Sequence, residues 1–514
     1  MKTKILQHLY ILAGACLLGS CSGFLDLIPR DQESGESFYK TEEQLEQAVV
    51  ATYVPLRDLA DNDFFTAEGR SDNTHYDYTP ANRGSAYVYR ENIYDFTNEA
   101  NNTYVSAVYY HCYKGISRAN IAIDHLATAT IDEAARTQLM GKARFMRAFF
   151  YYKLVRYFGG VPLYLHEVGS AEESFLPRST ADEVYKQIED DARYALDNLP
   201  TPDKFPSDGS PTKGSATILL ADMYVTRKNY AEAERLLKTL EGMGYALWDN
   251  YADAFALENK NGKESLFEIQ YMQGLQGGQQ SNFIYKFIPR SKNTQILTGV
   301  ATNNSSLGGW NVPTNDMIAA YEPGDKRKSA SIGIAEGKYD ASYIFTYTAS
   351  KEVEGYTPQP DTVGVPYIKK YLHAHANPNN TDDNWPLYRY SEALLFLAEA
   401  INEQGGRSAE ALSYLNRVRQ RAGLAPSTVT DQAQLRDIIL HERRVELAFE
   451  NKRWHDLVRS GKAVEVMNAY GKALKQQYTY LLPASYQVDE HHLLYPLPFD
   501  EVEKNKQLTQ NPGY

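Results

Sequence analysis

The feature that most constrains the fold is a pair of amphipathic segments within residues 217–240, which Asn229 separates. In each segment the apolar side chains recur at three- and four-residue spacing, as on the core-facing side of a helix. They are Ala216, Leu219, Leu220, Met223 and Tyr224, then Tyr230, Ala233, Leu236, Leu237 and Leu240. The small Ala221 and Ala233 let two antiparallel helices approach closely, so the spacing predicts a tetratricopeptide-like helical hairpin.

A second copy of this pattern begins at Leu397 and Ala398, breaks at Gly405–Gly406, and continues at residues 409–411. One hairpin cannot bury its outer face, so two copies favour stacked repeats over isolated amphipathic hairpins. The predicted fold is mostly α, a tetratricopeptide-like scaffold of helical pairs with long irregular ligand-binding loops and insertions. Such scaffolds hold partners and ligands more often than they perform chemistry.

The start of the chain predicts a secreted, lipidated protein. Lys2 and Lys4 precede a short apolar run, which is typical of a secretory signal and is too short to span a bilayer comfortably. Small residues then lead to Cys21, as in the lipobox of bacterial lipoproteins. We predict a signal peptide at 1–20, lipidation of Cys21 and a tether at 21–40; the alternative is an ordinary signal peptide with an incidental cysteine.

Charge and cysteine content argue against certain partners and against an intramolecular disulfide. The formal charge is −12, and it becomes −14 without Lys2 and Lys4, which disfavours nucleic acid and anionic membrane surfaces as partners. Removal of Cys16 and acylation of Cys21 leave Cys112 alone, so no intramolecular disulfide can form. We predict that Cys112 is a buried small hydrophobe and not a catalytic thiol.

Three long irregular segments interrupt the single body predicted at 41–514, at about 60–102, 272–313 and 329–383. Tyrosine is abundant, with 40 tyrosines against 19 phenylalanines, and its flat face and hydroxyl suit half-wet recognition surfaces. Aromatic faces stack on sugar rings, and polar side chains bind the hydroxyls. The candidate ligand-binding residues in these segments are Asp72, Asn73, Tyr76, Tyr78, Tyr285 and Trp310. Trp310 follows two glycines and either contacts ligand or pins its loop to the scaffold.

The sequence gives little support for a catalytic or metal-binding motif. His441 and Glu442 match the first two residues of the HExxH motif of zinc proteases, but Val445 occupies the position of the second histidine. Asp61 and Asp63 could begin a calcium loop, yet the remaining ligand positions are wrong. We therefore predict no catalytic residues, no metal and no cofactor. The dense charges of residues 442–456 are interpreted as a buried ionic joint between helices, in which Glu442 pairs with Arg443 and Glu446 with Arg453.

A series of motifs along nearly the whole chain resembles the SusD/RagB family of surface lipoproteins of Bacteroidetes. They are CSGFLD at 21–26, YxxIxxAN at 113–120, ARFxRAxxY at 143–151, FGGVP at 158–162, RYxE at 389–392, AEA at 398–400, NxVRxRAG at 416–423, ERRxELAFE at 442–450, RWxDL at 453–457, YPLP at 495–498 and QNPGY at 510–514. Each motif is weak alone, but their combination in this order is highly specific. The loops predicted to bind ligand follow no shared pattern, and Tyr109 stands where the family often has tryptophan.

The resemblance implies a helical fold with tetratricopeptide-like pairs and a function in nutrient uptake. It implies a glycan-binding, non-enzymatic lipoprotein that is anchored at the cell surface in the outer membrane. Its partners would be an oligosaccharide or polysaccharide and a SusC-like TonB-dependent transporter, to which it delivers the ligand. The alternatives are a peptide-binding RagB-like lipoprotein of the same transport system and, less favoured, a surface glycosidase.

Overall fold

The structure is a computed structural model, and it describes residues 38–80, 83–274 and 278–514. The predicted signal peptide, Cys21 and nearly all of the predicted tether lie outside the described residues. The helices are α1 (Glu42–Ala51), α2 (Val54–Asp63), α3 (Ser85–Asp95), α4 (Thr103–Thr128), α5 (Glu133–Phe158), α6 (Ala181–Asn198), α7 (Lys213–Thr226), α8 (Tyr230–Leu237), α9 (Phe283–Phe287), α10 (Gln295–Thr298), α11 (Asn315–Ala320), α12 (Lys326–Ser331), α13 (Tyr390–Glu403), α14 (Ser408–Arg421), α15 (Gln432–Glu446), α16 (Arg453–Arg459), α17 (Ala463–Gln477) and α18 (Phe499–Lys504). The strands are β1 (Thr74–His75), β2 (Ser265–Ile269), β3 (Val312–Pro313), β4 (Ile332–Tyr339), β5 (Phe345–Glu352), β6 (Val363–Ile368) and β7 (Trp385–Arg389).

The predicted helical hairpins are confirmed. Helices α7 and α8 pack against each other on either side of Asn229, whose side chain caps α8. Helices α13 and α14 form the second pair, and α13 also packs on α8. Ala221, Ala233 and Ala398 are fully buried, as expected where helix axes approach closely. The two copies are thus neighbours in one stack, although about 150 residues separate them in the chain.

The stack extends in both directions from these hairpins. Helix α4 packs on α5, α5 on α6 and α6 on α7, while α15 covers α13 and α14. Local signals set the ends of these helices: Thr180 and Glu183 form a capping box at the start of α6, and Gly159 ends α5 with a φ of 72°. The scaffold is therefore one continuous series of packed helices.

The segment 60–102, predicted to be irregular, contains helical structure. Helix α2 runs to Asp63 and continues as a π-helical turn, and α3 fills Ser85–Asp95. The buried side of α3 carries Arg90, Glu91, Ile93, Tyr94 and Asp95. Because these are mostly polar or aromatic residues, the segment lacks the apolar stripe by which an amphipathic helix is recognised.

The insertion 329–383, predicted to be rich in loops, contains an antiparallel three-stranded sheet of order β5-β4-β6. Gly333 lets Tyr367 of β6 pack flat on β4, since a Cβ there would lie 2.6 Å from the tyrosine ring. Two shorter pairings join distant segments: β1 with β3, and β2 with β7. The first of these ties 60–102 to 272–313, so the predicted loops are joined to each other by hydrogen-bonded strands.

A buried ionic joint connects the C-terminal helices to β7, as predicted. Glu446 of α15 lies 2.9 Å from Arg389, 2.5 Å from Arg421 and 3.2 Å from Arg327. All four side chains are almost completely inaccessible to solvent. These guanidinium groups hold the pKa of Glu446 below its usual range against the opposing effect of burial.

The partners within this joint differ from the predicted ones. Arg443 pairs with Asp456 at 2.9 Å and not with Glu442, because adjacent residues of a helix point away from each other. Arg453 pairs with Asp72 at 2.8 Å and not with Glu446.

Two further predictions can be compared with the described residues. Cys112 is buried and unpaired there, and burial raises the pKa of its thiol, as expected for a structural cysteine. No helix in the described part of the chain is long and apolar enough to cross a membrane.

Candidate functional site

The principal candidate site is an open groove of about 1180 Å³ between the first loop region, the three-stranded sheet and the end of α17. We call it the tyrosine groove, because its lining includes Tyr76, Tyr78, Tyr339, Tyr343, Tyr470, Tyr478 and Tyr480. The flat rings and hydroxyls of tyrosine combine apolar contact with hydrogen bonding. This composition suits a ligand that presents both C–H faces and hydroxyl groups.

The first wall of the groove is held in place by the β1–β3 pairing. Strand β1 positions His75, and Tyr76 and Tyr78 follow it directly. The backbone N–H of Asp77 donates to the carbonyl of Gly309 at 2.7 Å. Gly309 has a φ of 65°, and a Cβ there would lie 2.5 Å from the Asp77 side chain. The glycines before Trp310 therefore allow the two loops to close against each other.

Tyr78 and Tyr480 form the centre of an aromatic cluster in this wall. Their ring centroids are 3.8 Å apart and the rings are 5° from parallel. Tyr478 stacks next to Tyr480 at 5.3 Å, and His75 stacks on Tyr478 at 5.3 Å. Tyr78, Tyr478 and Tyr480 are half-buried, so parts of their rings remain accessible in the groove.

His75 fixes the orientation of Tyr480 in this cluster and of Tyr486 next to it. Its Nδ1 lies 3.1 Å from the Tyr486 hydroxyl, and its Nε2 lies 2.9 Å from the Tyr480 hydroxyl. Burial lowers the pKa of His75 to about 3. The imidazole is therefore neutral at physiological pH, and it positions Tyr480 without bringing a charge into the groove.

Tyr76 is held from the other side by an aspartate. Its hydroxyl donates to Asp95 Oδ2 at 3.2 Å, and Ser485 donates to the same oxygen at 3.2 Å. Burial raises the pKa of Asp95 to about 7. Asp95 belongs to α3, so this helix supports the groove from within the segment 60–102.

Charged groups at the floor of the groove are already paired. Arg453 binds both carboxylate oxygens of Asp72, at 2.8 and 2.9 Å. Arg444 lies 3.1 Å from Asp72 and 2.6 Å from Asp316. Both arginines keep the pKa of Asp72 below its usual value although the carboxyl is buried. Asp72 consequently anchors the loop on α15 and α16 while it lines the groove.

The opposite wall comes from the insertion 329–383, which sequence reasoning did not assign to the site. Tyr339 of β4 and Tyr343 in the following turn face the groove together with Val365 and Pro366 of β6. Tyr478 and Tyr480 were also missed. One signal was available: the Tyr-Thr-Tyr spacing of 478–480 repeats the Tyr-Asp-Tyr spacing of 76–78.

The structure brings some of the predicted ligand-binding residues together and separates others. Asp72, Tyr76 and Tyr78 line the tyrosine groove. Asn73 is buried behind it, where it donates to Glu68 at 2.8 Å and accepts from Arg444 at 2.9 Å. Tyr285 is fully buried among the residues of α9 and the sheet, with its hydroxyl 2.8 Å from His375 Nε2.

Trp310 lies next to the groove but does not line it. Its ring packs against Phe65 and Phe64, with centroids 5.4 and 6.3 Å away, and the Arg90 guanidinium lies 4.2 Å from its centroid. Its carbonyl accepts a hydrogen bond from Tyr94. These contacts pin the glycine-containing loop to α3 and the π-helical turn. Contact of Trp310 with a glycan stays a prediction.

One set of possible metal ligands occurs in the described part of the chain. Asp489, His491 and His492 place one ligand atom each within 4.8 Å of one another. Asp489 already caps the short helix there, since its side chain accepts from the backbone N–H of His491 at 3.0 Å. Hydrogen bonding thus accounts for this cluster, and it does not line the tyrosine groove.

The chain resembles known proteins over its full described length. The family model described as "SusD family" matches residues 263–514, and the model described as "Starch-binding associating with outer membrane" matches residues 23–225. The SusD-like protein P2 of Formosa agariphila is 32% identical over 446 residues, which cover 83% of this chain and 84% of that protein. The starch-binding protein SusD of Bacteroides thetaiotaomicron is 22% identical, and the match covers 100% of both chains.

Solved structures give the same result. A laminarin-binding SusD-like protein superposes with a TM-score of 0.73 and is 25% identical, covering 93% of this chain and 100% of its own. Surface glycan-binding protein A from Bacteroides uniformis gives a TM-score of 0.72 at 25% identity, covering 92% and 99%. The family models, the relatives and the shared fold lead to one conclusion: the chain belongs to the SusD family.

Proposed function

We propose that this protein is a non-enzymatic, cell-surface glycan-binding protein that captures oligosaccharide or polysaccharide in the tyrosine groove. The observation that carries the proposal is the pair of tyrosine-rich walls, with Tyr78 and Tyr480 on one side and Tyr339 and Tyr343 on the other. Sugar rings bind proteins by stacking C–H faces on aromatic planes while their hydroxyls form hydrogen bonds. An open groove of about 1180 Å³ has room for several sugar rings.

The relatives support this function. Solved relatives are described as binding laminarin or surface glycans, and a curated relative is described as binding starch. Within the groove, the basic groups at the floor are occupied by Asp72 and Asp316. The floor therefore presents no free charge of the kind that would hold the terminal carboxylate of a peptide, and this favours a glycan over the peptide alternative.

Delivery to a transporter and membrane attachment complete the proposal. Lipidation of Cys21 would anchor the protein in the outer membrane, because several acyl chains on one residue give stable attachment. The partner would be a SusC-like TonB-dependent transporter, which receives the bound glycan. The family description that mentions association with the outer membrane supports this location.

The test is isothermal titration calorimetry of the purified protein against soluble polysaccharides, including laminarin and starch, and against a peptide digest. We expect saturable binding of at least one polysaccharide and none of the peptide digest. Prolonged incubation with the bound polysaccharide should release no shorter sugars. Binding of peptides alone would replace the proposal by peptide capture, and release of shorter sugars would show a glycosidase.

A further inference from the structure

One face of helix α17 forms a side of the tyrosine groove that differs from the tyrosine walls. Its residues recur at helical spacing and all line the groove; they are Val466, Ala469, Tyr470, Ala473, Leu474 and Gln477. Ala469 and Ala473 are exposed there, and Val466 is half-buried. This side of the groove therefore offers aliphatic C–H groups with little bulk. We call it the α17 face.

Other elements add small aliphatic groups to the same groove. Val312 of β3 and Val365 and Pro366 of β6 line it and are half-buried. The groove thus combines tyrosine rings, which suit the flat faces of sugars, with short aliphatic side chains. Burial of a methyl group against such side chains is favourable, because it removes apolar surface from water.

Tyr470 contributes an unsatisfied hydroxyl to the α17 face. The residue is 9% exposed, and its hydroxyl has no hydrogen-bond partner among the described residues. Its ring packs edge-on against Tyr486, with the centroids 5.6 Å apart and the planes at 89°, so the ring is held although the hydroxyl is not. Buried polar groups are almost always hydrogen-bonded, and each exception calls for an explanation.

The charges around Tyr470 show where its hydroxyl lies. Burial, together with the carboxylates of Asp72 and Asp316, raises the pKa of Tyr470. Both aspartates line the groove, so the hydroxyl lies on the groove side of the helix. Both carboxylates are bound by arginines instead: Asp72 by Arg453 at 2.8 Å and Asp316 by Arg444 at 2.6 Å. A neutral O–H donor is left at this point, and an acceptor from a ligand would satisfy it.

We propose that the α17 face is a subsite for the acetyl group of an acetylated sugar. The carbonyl oxygen of the acetyl group accepts a hydrogen bond from the Tyr470 hydroxyl, and its methyl group packs on Ala469 and Ala473. A sugar hydroxyl also satisfies Tyr470 but brings no methyl group to the aliphatic side chains. The same chemistry comes from an N-acetyl amide and from an O-acetyl ester. The inference rests on the proposed function, since it places one sugar of the bound glycan in the tyrosine groove.

The test measures the affinities of single sugars by ligand-observed NMR, so that the linkage of the natural glycan does not matter. The N-acetyl derivatives of glucosamine, galactosamine and mannosamine, and the O-acetyl esters of glucose, galactose and mannose, are compared with those three parent hexoses. We expect at least one acetylated sugar to bind at least fivefold more tightly than its parent, with the strongest saturation transfer at the acetyl methyl group. Preference for the amides or for the esters identifies the source of the acetyl group.

Three variants test the residues of the subsite. Tyr470→Phe removes only the hydroxyl and should weaken binding of the acetylated sugar about two- to tenfold, with the parent hexose unaffected. Ala473→Leu fills the space for the methyl group and should also weaken it. Tyr110→Phe makes the same chemical change on a residue that is 39% exposed on α4, outside the groove, and should have no effect.

Thermal unfolding separates binding from a structural role. Tyr470→Phe should not lower the melting temperature, because the hydroxyl bonds to nothing in the described part of the chain; a clear decrease would show an internal role and count against the subsite. Equal affinities for acetylated and parent sugars, or a full preference for the acetylated sugar in both groove variants, would overturn the proposal. Laminarin or starch binding would then still support the proposed function, whereas absence of all sugar binding would defeat both.

Discussion

The orientations of the tyrosine side chains around the groove are fixed by the residues that hydrogen-bond to their hydroxyls. His75, which lines the groove, and Asp95, which does not, hold the hydroxyls of Tyr480 and Tyr76. Both are buried, so their ionisation depends on the fold and gives measurable effects. Such supporting residues keep aromatic platforms in one orientation before ligand arrives, which reduces the entropy lost on binding.

Asp95 should make stability fall as pH rises. Its pKa is about 7 in the folded protein and near 3.9 in an unfolded chain, so between these values the folded state retains a proton that the unfolded state has lost. The unfolding free energy should therefore decrease by up to about 1.4 kcal/mol per pH unit in that window. Asp95→Asn should flatten the profile measured by chemical denaturation from pH 4 to 7. Asp190→Asn, at an exposed position, should leave its slope unchanged.

Trp310 gives a second prediction, because its ring is packed on Phe65 and under Arg90. Trp310→Ala should lower the unfolding free energy by about 2–3 kcal/mol, somewhat less than for a fully buried tryptophan. The affinity for a neutral glycan should change little at a temperature where the protein is folded. An unchanged melting temperature together with a large loss of affinity would show instead that Trp310 stacks on the sugar.

At the scale of elements, the helical hairpins were predictable, whereas only Asp72, Tyr76 and Tyr78 of the groove lining were. The spacing of apolar residues predicts the hairpins of α7 with α8 and of α13 with α14, because each of these helices buries one side in the helical stack. Helix α3 was not predicted because its buried side carries the charged residues Arg90, Glu91 and Asp95 in place of an apolar stripe. The groove brings together residues that are about 400 positions apart in the sequence, such as Tyr76 and Tyr480. No local sequence pattern indicates that such distant residues are close in space.

The joint between β7, α12, α14 and α15 should be essential for stability. Glu446 contacts three buried arginines, and removal of one charge from such a group leaves the others uncompensated. Glu446→Gln should cost about 3–5 kcal/mol of unfolding free energy. Glu465→Gln, at an exposed position on α17, is the matched control and should cost almost nothing. Equal melting temperatures for the two variants would argue against an energetic role for the joint.

At the scale of the whole molecule, the N-terminal prediction concerns attachment. Cys21→Ala should leave the melting temperature unchanged, because the cysteine precedes the first helix by about twenty residues, and it should release the protein from washed outer membranes. The experiment needs a strain without the SusC-like transporter, which could otherwise retain the protein. Recovery of the variant in the membrane fraction of that strain would argue against lipidation of Cys21.

The described part of the chain is a helical scaffold that holds three segments around one groove. The packed helices α4 to α8 and α13 to α15 form the scaffold, and the β1–β3 pairing, the sheet and the end of α17 supply the walls. Under the proposed function, the groove and no single loop is the unit that recognises ligand. The central claim is therefore that the aromatic cluster of Tyr78, Tyr478 and Tyr480 forms the principal binding surface of the groove.

The most direct measurement is the affinity of Tyr480→Ala for the polysaccharide that binds best, together with its melting temperature. Loss of one stacked ring should weaken binding about five- to thirty-fold while the melting temperature changes by only a few degrees. Tyr110→Ala removes a tyrosine that is 39% exposed on α4, outside the groove, and should bind normally. Full affinity in Tyr480→Ala, with the protein folded, would contradict the claim that the tyrosine groove binds the glycan.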